Sequence, residues 1–559
     1  MPEQQVDFGA VVIGAGLSGL RVLRELRDEV GLSVKVFEAG TEVGGTWFWN
    51  RYPGARTDTE SWAYGLSFDK DLLEDWDWEE RFPGQPEVER YLNHVADRFD
   101  LRKDIAFETK VTEAVFDEDR SVWQVATDTG ETLTCSYLVT AAGLLSNTYE
   151  PPFPGIETFA GDWYQTSLWP EEPVELEGKR VAVIGTGATA IQLIPEVARQ
   201  ADHLTVFQRT PNYVVPARNH LMPPAQRGEL KRNYDTMWDD LRKQPFALPI
   251  PTSGRVAADM PDPAERQRVF DAVWETGGFR FIFESFDDLI TDQAINDEAA
   301  EFVRNKIRTI VKDPETAELL CPTGHPFGSK RLPLGHFYYE TFNRENVDLV
   351  GIADNPIVEV TPEGIRLADG TVHEVDVIVF ALGFNAITGA LAQIDIRGRG
   401  GRDLNDKWAD GAAAYLGVNV DEFPNMFVIL GPQSPFVNTP PMVEKQVDFI
   451  GDAIRHMRVN DLAAIEVTTA TVEAWDAECH RGLDATLIPK GLEDRPWFLR
   501  KIPGKPLNVL FYFGGFEAYC DEVEGALANG LADFTLYPAA PGAASGPVPA
   551  SGAGVVQAR

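Results

Sequence analysis

A chain of 559 residues is long enough for two or three domains with sizeable cores, and 44% hydrophobic with 25% charged residues is a globular composition. A formal net charge of -37, from 50 basic and 87 acidic side chains, argues against nucleic acid or an anionic membrane as a partner. Four cysteines far apart in sequence, Cys135, Cys321, Cys479 and Cys520, form no disulfide framework and no CxxC pair, so neither a metal site nor a redox dithiol is expected.

The N-terminal Met1-Pro-Glu-Gln-Gln-Val-Asp lacks the basic and apolar regions of a signal peptide. No apolar run approaches the roughly 18 residues needed to cross a bilayer. A cytoplasmic protein without a membrane partner is the expectation. The first element, from about Val6 to Glu38, reads as a strand, a glycine loop and a helix. The apolar run Ala10-Val-Val-Ile13 leads into Gly14-Ala-Gly16-Leu-Ser-Gly19, and Leu17, Leu20, Leu23 and Leu26 then recur at helical spacing. Glycines let such a turn close and let backbone approach a pyrophosphate at a helix N-terminus. The next strand, Val34-Lys-Val-Phe-Glu38, ends in a carboxylate placed for ribose hydroxyls.

A tryptophan-rich loop region follows from Gly44 to Ser61. Alternating strands are expected over Phe107–Thr134, then an apolar strand over Tyr137–Gly143 and a polar crossover over Asn147–Pro154. Near Arg180 the first pattern returns. Val181-Ala-Val-Ile184 leads into Gly185-Thr-Gly187-Ala-Thr-Ala190, followed by the apolar stripe Ile191, Ile194, Val197 and Ala198. The strand after it, Leu204-Thr-Val-Phe-Gln-Arg209, has Gln208 at the acidic position and then Arg209. A carboxylate would repel a 2′-phosphate, whereas an arginine pairs with it. One chain thus holds an FAD-type and an NADP-type site.

Between about Met222 and Lys312 the sequence turns helical and charged, broken by Pro249, Pro251, Pro261 and Pro263. The apolar stretch Asp376–Gly383 echoes Tyr137–Gly143. The expected fold is therefore α/β, with two Rossmann-like dinucleotide-binding domains (FAD and NADP), the second inserted in the first, and a helical subdomain. Its bounds are 1–150 for the first part of the FAD domain, 151–383 for the NADP domain with a helical insertion at about 222–312, and 384–538 for the rest of the FAD domain. The Ala/Gly/Pro/Ser-rich stretch 539–559 reads as a disordered tail.

The segment Gly44-Gly-Thr-Trp-Phe-Trp-Asn-Arg-Tyr-Pro-Gly-Ala-Arg-Thr-Asp58 resembles the long fingerprint of type I Baeyer–Villiger flavin monooxygenases, the group of cyclohexanone, phenylacetone and steroid monooxygenases. That pattern is Ala/Gly-Gly-x-Trp, four positions, Phe/Tyr-Pro-Gly/Met, three positions, Asp, and every fixed position matches. Further matches are Lys330-Arg331 before Tyr338–Arg344, Gly431-Pro-Gln-Ser-Pro435, Pro496-Trp-Phe498, Ile502-Pro-Gly-Lys505 and Tyr512-Phe-Gly-Gly515. The family's second fingerprint, FxGxxxHxxxW followed by Pro or Asp, is matched at Phe159, Gly161 and Trp169 but carries Gln165 in place of the histidine. Lys501 and Cys520 stand where the family often has asparagine and arginine.

The resemblance implies an enzyme that uses FAD, NADPH and O2 to convert a ketone to an ester or lactone through a C4a-peroxyflavin. That anion needs a fixed cation beside it. By resemblance the cation is Arg331, oriented by Asp58, with guanidinium suited because it does not deprotonate. Cofactor contacts are expected at Gly14, Gly16, Gly19, Glu38, Gly45, Thr46, Trp47, Asp58, Gly185, Gly187, Thr189, Arg209, Thr210, Lys330 and Trp497. Gln165 keeps a hydrogen-bond donor and an acceptor but cannot become a cation. Taken singly, Arg331 reads as a solvated charge, Asp58 as a helix cap, the tryptophans as core aromatics and Gln165 as a loop amide; the shared fingerprint is what gives them roles. The partners are a small-molecule ketone and O2, and the state a monomer or small homo-oligomer. Two alternatives stand beside this: a flavin N- or S-oxygenating monooxygenase, and a redox-responsive flavoprotein without productive oxygenation.

Overall fold

The computed structural model describes residues 6–494 and 496–539. Apart from Ala539, the stretch expected as a tail lies outside the described residues. Two sheets organise the chain, and the glycine loops set where each begins. In the first sheet the strand order is Asp395–Arg397, Val111–Asp117, Val122–Thr127, Thr132–Thr140, Phe8–Ile13, Val34–Phe37, Ile105–Ala106, with Met426–Val428 also pairing Thr132–Thr140. The second sheet runs Val347–Gly351, His203–Gln208, Arg180–Ile184, Val377–Phe380, Asp162–Gln165, parallel throughout. Strands 162–380 thus interrupt those of the first sheet, 8–140 and 395–428, so the second unit is inserted in the first.

The strand Thr132–Thr140 fuses two stretches that the sequence separates. Its start pairs antiparallel with Val122–Thr127 (Trp123 opposite Cys135), and much of it runs parallel to Phe8–Ile13 (Val12 opposite Val139). Exposure follows pairing. The start alternates between covered and open positions, and the end, Tyr137–Thr140, is buried throughout, as parallel strands covered on both faces are. Val377–Phe380 lies beside Arg180–Ile184 just as Thr132–Thr140 lies beside Phe8–Ile13.

The helices after the two loops bury the stripes read from sequence. Leu20, Leu23 and Leu26 are fully covered and Leu17 nearly so. Ile191, Ile194, Val197 and Ala198 are covered in the second helix, Ala188–Gln200. Nucleotides bind such sheets at the carboxyl ends of the strands, and both loops leave their strands there.

The helical region 222–312 divides between two cores. Met222, Tyr234, Leu241 and Ala247 join the core of the first sheet. Phe270, Trp274, Phe281, Phe302 and Val303 join that of the second. Pro263 starts the helix Pro263–Thr276 at its first turn, where a missing N–H leaves no bond unmade. After the second sheet the chain returns, and the helix Thr439–Val459 lies against Leu17–Arg24, where Asp448 pairs with Arg21 at 2.7 Å.

Candidate active site

The first loop is closed over by its own chain. Gly45 takes a left-handed φ of 54° and approaches so near that a Cβ on it would lie 2.8 Å from Gly16 Cα. At the end of the neighbouring strand, buried Glu38 accepts from the Ala15 and Gly40 amides at 2.7 Å each. Burial pushes its carboxyl up, opposed by those amides. An ionised carboxylate has about four acceptor sites, so Glu38 retains capacity for ribose hydroxyls. Thr46 is exposed, and Trp47 is buried with its Nε1 donating to the Tyr64 hydroxyl at 3.2 Å.

The second loop stands open. A Cβ on Gly187 would meet nothing within 4 Å. Thr189 is half-buried, Arg209 is exposed at the end of its strand, and the Thr210 carbonyl accepts from Thr186 Oγ1 at 3.1 Å. Gln208 is turned inward and donates to the Leu319 carbonyl at 2.7 Å, which leaves Arg209 as the polar group presented at this strand end.

The fingerprint loop joins the two. Gly54 has φ of 84°, and a Cβ there would lie 2.4 Å from the Gln192 carbonyl on the helix after the second loop. This close approach explains the glycine after Pro53. The Tyr52 hydroxyl donates to Gln192 Oε1 at 2.8 Å, and Gln192 Nε2 donates to the Arg56 carbonyl at 3.1 Å and to Asp58 Oδ1 at 3.3 Å. On its other oxygen Asp58 receives Arg331 Nη1 at 2.8 Å; the Asp58 side chain is 4% exposed and that of Arg331 33%. Burial pushes the Asp58 carboxyl up while Arg331 and Gln192 oppose the shift. Asn212 holds the main chain of Arg331, donating to its carbonyl at 3.3 Å. Burial raises the Tyr64 phenol to about 12, and it also feels the charges of Arg331 and Asp58. Trp47, Asp58 and Arg331 therefore share one locality. Lys330 is half-buried beside Arg331. Tyr52, Tyr64, Gln192 and Asn212 also join these surroundings, and sequence alone assigns them no role.

The remaining positions lie on two flanks. Trp497 is half-buried, its ring 5.4 Å from that of Phe511 and 6.4 Å from that of Phe436. Lys501 is exposed on the strand Leu499–Lys501, and Cys520 is buried in the helix Phe516–Ala528, its thiol pushed up to about 11 by burial. In the second fingerprint Phe159 packs on the second sheet, Trp169 is buried, and a Cβ on Gly161 would lie 2.2 Å from the Asp376 carbonyl. Gln165 ends the edge strand Asp162–Gln165 and donates from Nε2 to the Tyr149 carbonyl in the crossover at 2.9 Å.

The chain is similar to known proteins along most of its length. A family model described as flavin-binding monooxygenase-like matches residues 9–224, and together with the relatives that match over most of the chain it defines the class as a flavin-dependent monooxygenase. A Baeyer–Villiger monooxygenase of Pseudooceanicola batsensis is 45% identical over 526 residues, 94% of this chain and 95% of its own. The phenazine N-monooxygenase PhzNO1 of Lysobacter antibioticus is 46% identical over 519 residues, 92% of this chain and 95% of its own. The crystal structure of cyclohexanone monooxygenase from Rhodococcus sp. Phi1 bound to NADP+ superposes with a TM-score of 0.92 at 45% identity, covering 95% of this chain and 99% of that one. The chain belongs to the Baeyer–Villiger monooxygenase family.

Proposed function

We propose that the protein inserts one oxygen atom from O2 beside the carbonyl of a ketone, consuming NADPH and a proton and releasing an ester or lactone, water and NADP+. The observation that supports this most is the pairing of buried Asp58 with half-buried Arg331, tied through Gln192 to the second glycine-loop helix and through the fingerprint loop to the first. The residues fit the two nucleotides. Gly14, Gly16 and Gly19 let the loop pack closely against the Ala141 carbonyl, Gly45 and the Gly14 carbonyl, and so bring the N-terminus of Leu17–Arg24 to where the FAD pyrophosphate would bind. Glu38 would take its ribose, with Gly45, Thr46 and Trp47 alongside. Gly185, Gly187 and Thr189 would receive the NADPH pyrophosphate, Arg209, Thr210 and Lys330 its 2′-phosphate, and Trp497 its nicotinamide side. Bound FAD supplies the hydride acceptor and the site of oxygen activation.

Arg331 holds a permanent positive charge where negative charge develops on the reacting oxygen, and Asp58 fixes the guanidinium direction. Buried Trp47 and its hydrogen-bonded partner Tyr64 form one wall of this corner. Gln165 joins strand to crossover by a hydrogen bond that needs no charge. Residues 1–150 and 384–538 form the FAD domain, 151–383 the NADP domain, and the protein acts as a cytoplasmic monomer or small homo-oligomer.

A cyclic ketone is the substrate class favoured by the likeness to cyclohexanone monooxygenase. N-oxygenation is a second reading, because a phenazine N-monooxygenase is as similar in sequence. Incubation with NADPH and a panel of cyclic, aromatic and steroid ketones beside phenazine, followed by mass spectrometry, separates them. Gain of one oxygen by a ketone supports the first reading; gain by phenazine alone overturns it in favour of the second.

A further inference from the structure

His480, on the helix Thr469–Asp484, stands between two carbonyls. Its Nδ1 lies 2.9 Å from the Asp476 carbonyl and its Nε2 2.9 Å from the Leu507 carbonyl. A carbonyl can only accept. A neutral imidazole carries one N–H, so it satisfies one of these contacts and sets a lone pair against oxygen in the other. Flipping the ring puts C–H groups there instead. Only the imidazolium donates to both.

We infer that His480 is a positioning residue, held as an imidazolium, that clamps the hairpin carrying Leu507 and so fixes Trp497, and that the clamp opens when the ring loses its second proton. The hairpin pairs Leu499–Lys501 with Leu507–Val509 and follows directly on Trp497-Phe498. The Leu510 amide donates to the Phe498 carbonyl at 3.2 Å, and the Leu499 amide to the Pro496 carbonyl at 3.0 Å. Movement of Leu507 is thus passed to the tryptophan. The clamp also reaches the Gly431–Pro435 segment: Gln433, fully buried, donates from Nε2 to Asp476 Oδ1 at 2.5 Å and from its amide to the Leu510 carbonyl at 2.8 Å.

The surroundings favour the charged ring. Burial pulls its pKa down, but the two carbonyls and the charges of Asp476 and Asp484 outweigh it and hold the pKa above the ordinary value. Asp476 Oδ2 lies 3.5 Å from Nδ1. On the same helix Arg481 is paired with Glu478. The turn Ile488–Asp494 packed against the helix brings Lys490, which donates to Gln293 Oε1 at 2.6 Å, and Glu493. The hairpin brings Arg500, bonded to Asn385, Lys501, and Lys505, paired with Asp410. The strand Phe511–Tyr512 brings only the Tyr512 phenol, itself raised by burial.

The effect on NADPH rests on the proposed role of Trp497; the clamp itself does not. The test is a pH series on the FAD-loaded enzyme. Histidine-labelled protein, with the resonance assigned by His480→Gln, reads the ring pKa by NMR. Amide exchange of residues 499–509, corrected for its intrinsic pH dependence, reads the hairpin. The expected result is a His480 pKa above the usual value of about 6.5, with hairpin exchange accelerating through that pKa. The KM for NADPH should rise roughly three- to tenfold over the same window, the loss of about one hydrogen bond, with kcat changing less. In His480→Gln the KM should not vary across that window. A His480 pKa at or below the ordinary value, or hairpin exchange that ignores it, overturns the clamp even if the variant does not fold. A clamp seen by NMR and exchange with an unmoved KM overturns only the link to Trp497.

Discussion

The two glycine loops share one local architecture and differ in what lies over them. At the first, Gly45 presses on Gly16, and the Glu38 carboxylate is turned into the Ala15 and Gly40 amides. At the second, Gly187 faces open space, Gln208 is turned away to Leu319, and Arg209 stands exposed. A site walled by its own chain suits a cofactor that stays, and an open one suits a nucleotide that enters and leaves. Asp58 joins the two regions: it ends the segment that covers the first loop, accepts from Gln192 on the helix after the second, and pairs with Arg331.

The largest expected effect comes from breaking the junction. Arg331→Ala should lower product formation by 10²–10³-fold, on the order found when a preorganised stabilising group is lost, while NADPH still bleaches the flavin in part. Near wild-type ester or lactone formation by this variant would remove Arg331 from its role. Next comes the closed site. Purified protein should be yellow with non-covalent FAD, and Glu38→Ala should lose flavin on gel filtration. Each ribose bond contributes about 1 kcal/mol, and two buried amides would be left unpaired at about 1–3 kcal/mol each. An unchanged flavin-to-protein absorbance ratio would show that Glu38 does not hold the cofactor.

At the open site, Arg209→Ala should raise the KM for NADPH roughly ten- to a hundredfold, the loss of a charge-assisted pair of about 1.5–3 kcal/mol, and leave that for NADH nearly unchanged. Equal use of both nucleotides by the wild type would contradict the contrast between Glu38 and Arg209. The smallest effect is expected at Gln165. Since its bond to the Tyr149 carbonyl needs only a donor, Gln165→His should leave the ratio of product to NADPH consumed within about twofold, a hydrogen bond replacing a hydrogen bond. A wild type that makes mainly hydrogen peroxide, rescued by histidine, would favour the redox-responsive reading.

Both loops, their helices and the acid-or-base ending of each second strand were legible in the sequence because they are local patterns. The fingerprint contained Asp58, and the family resemblance implied Arg331 as its partner. What stayed hidden depends on distant segments meeting. Gln192 lies 134 residues from Asp58 and looks like one more polar residue on an amphipathic helix. The inward turn of Gln208 depends on Leu319, 111 residues on. Gly54 stood only as a fixed position of the fingerprint, and its reason is the backbone of another unit 2.4 Å from where its Cβ would be. The helical region 222–312 read as one block because charge and proline content cannot tell which of two cores a helix covers.

The most direct test of the central claim is isotopic. Wild-type enzyme is given NADPH, cyclohexanone and 18O2, and both the product and the nucleotide consumed are quantified. The account predicts a lactone carrying one 18O atom, formed in near one-to-one ratio with NADPH oxidised. NADPH consumption that yields only hydrogen peroxide with this and every other ketone tried, or a lactone without label, would contradict it.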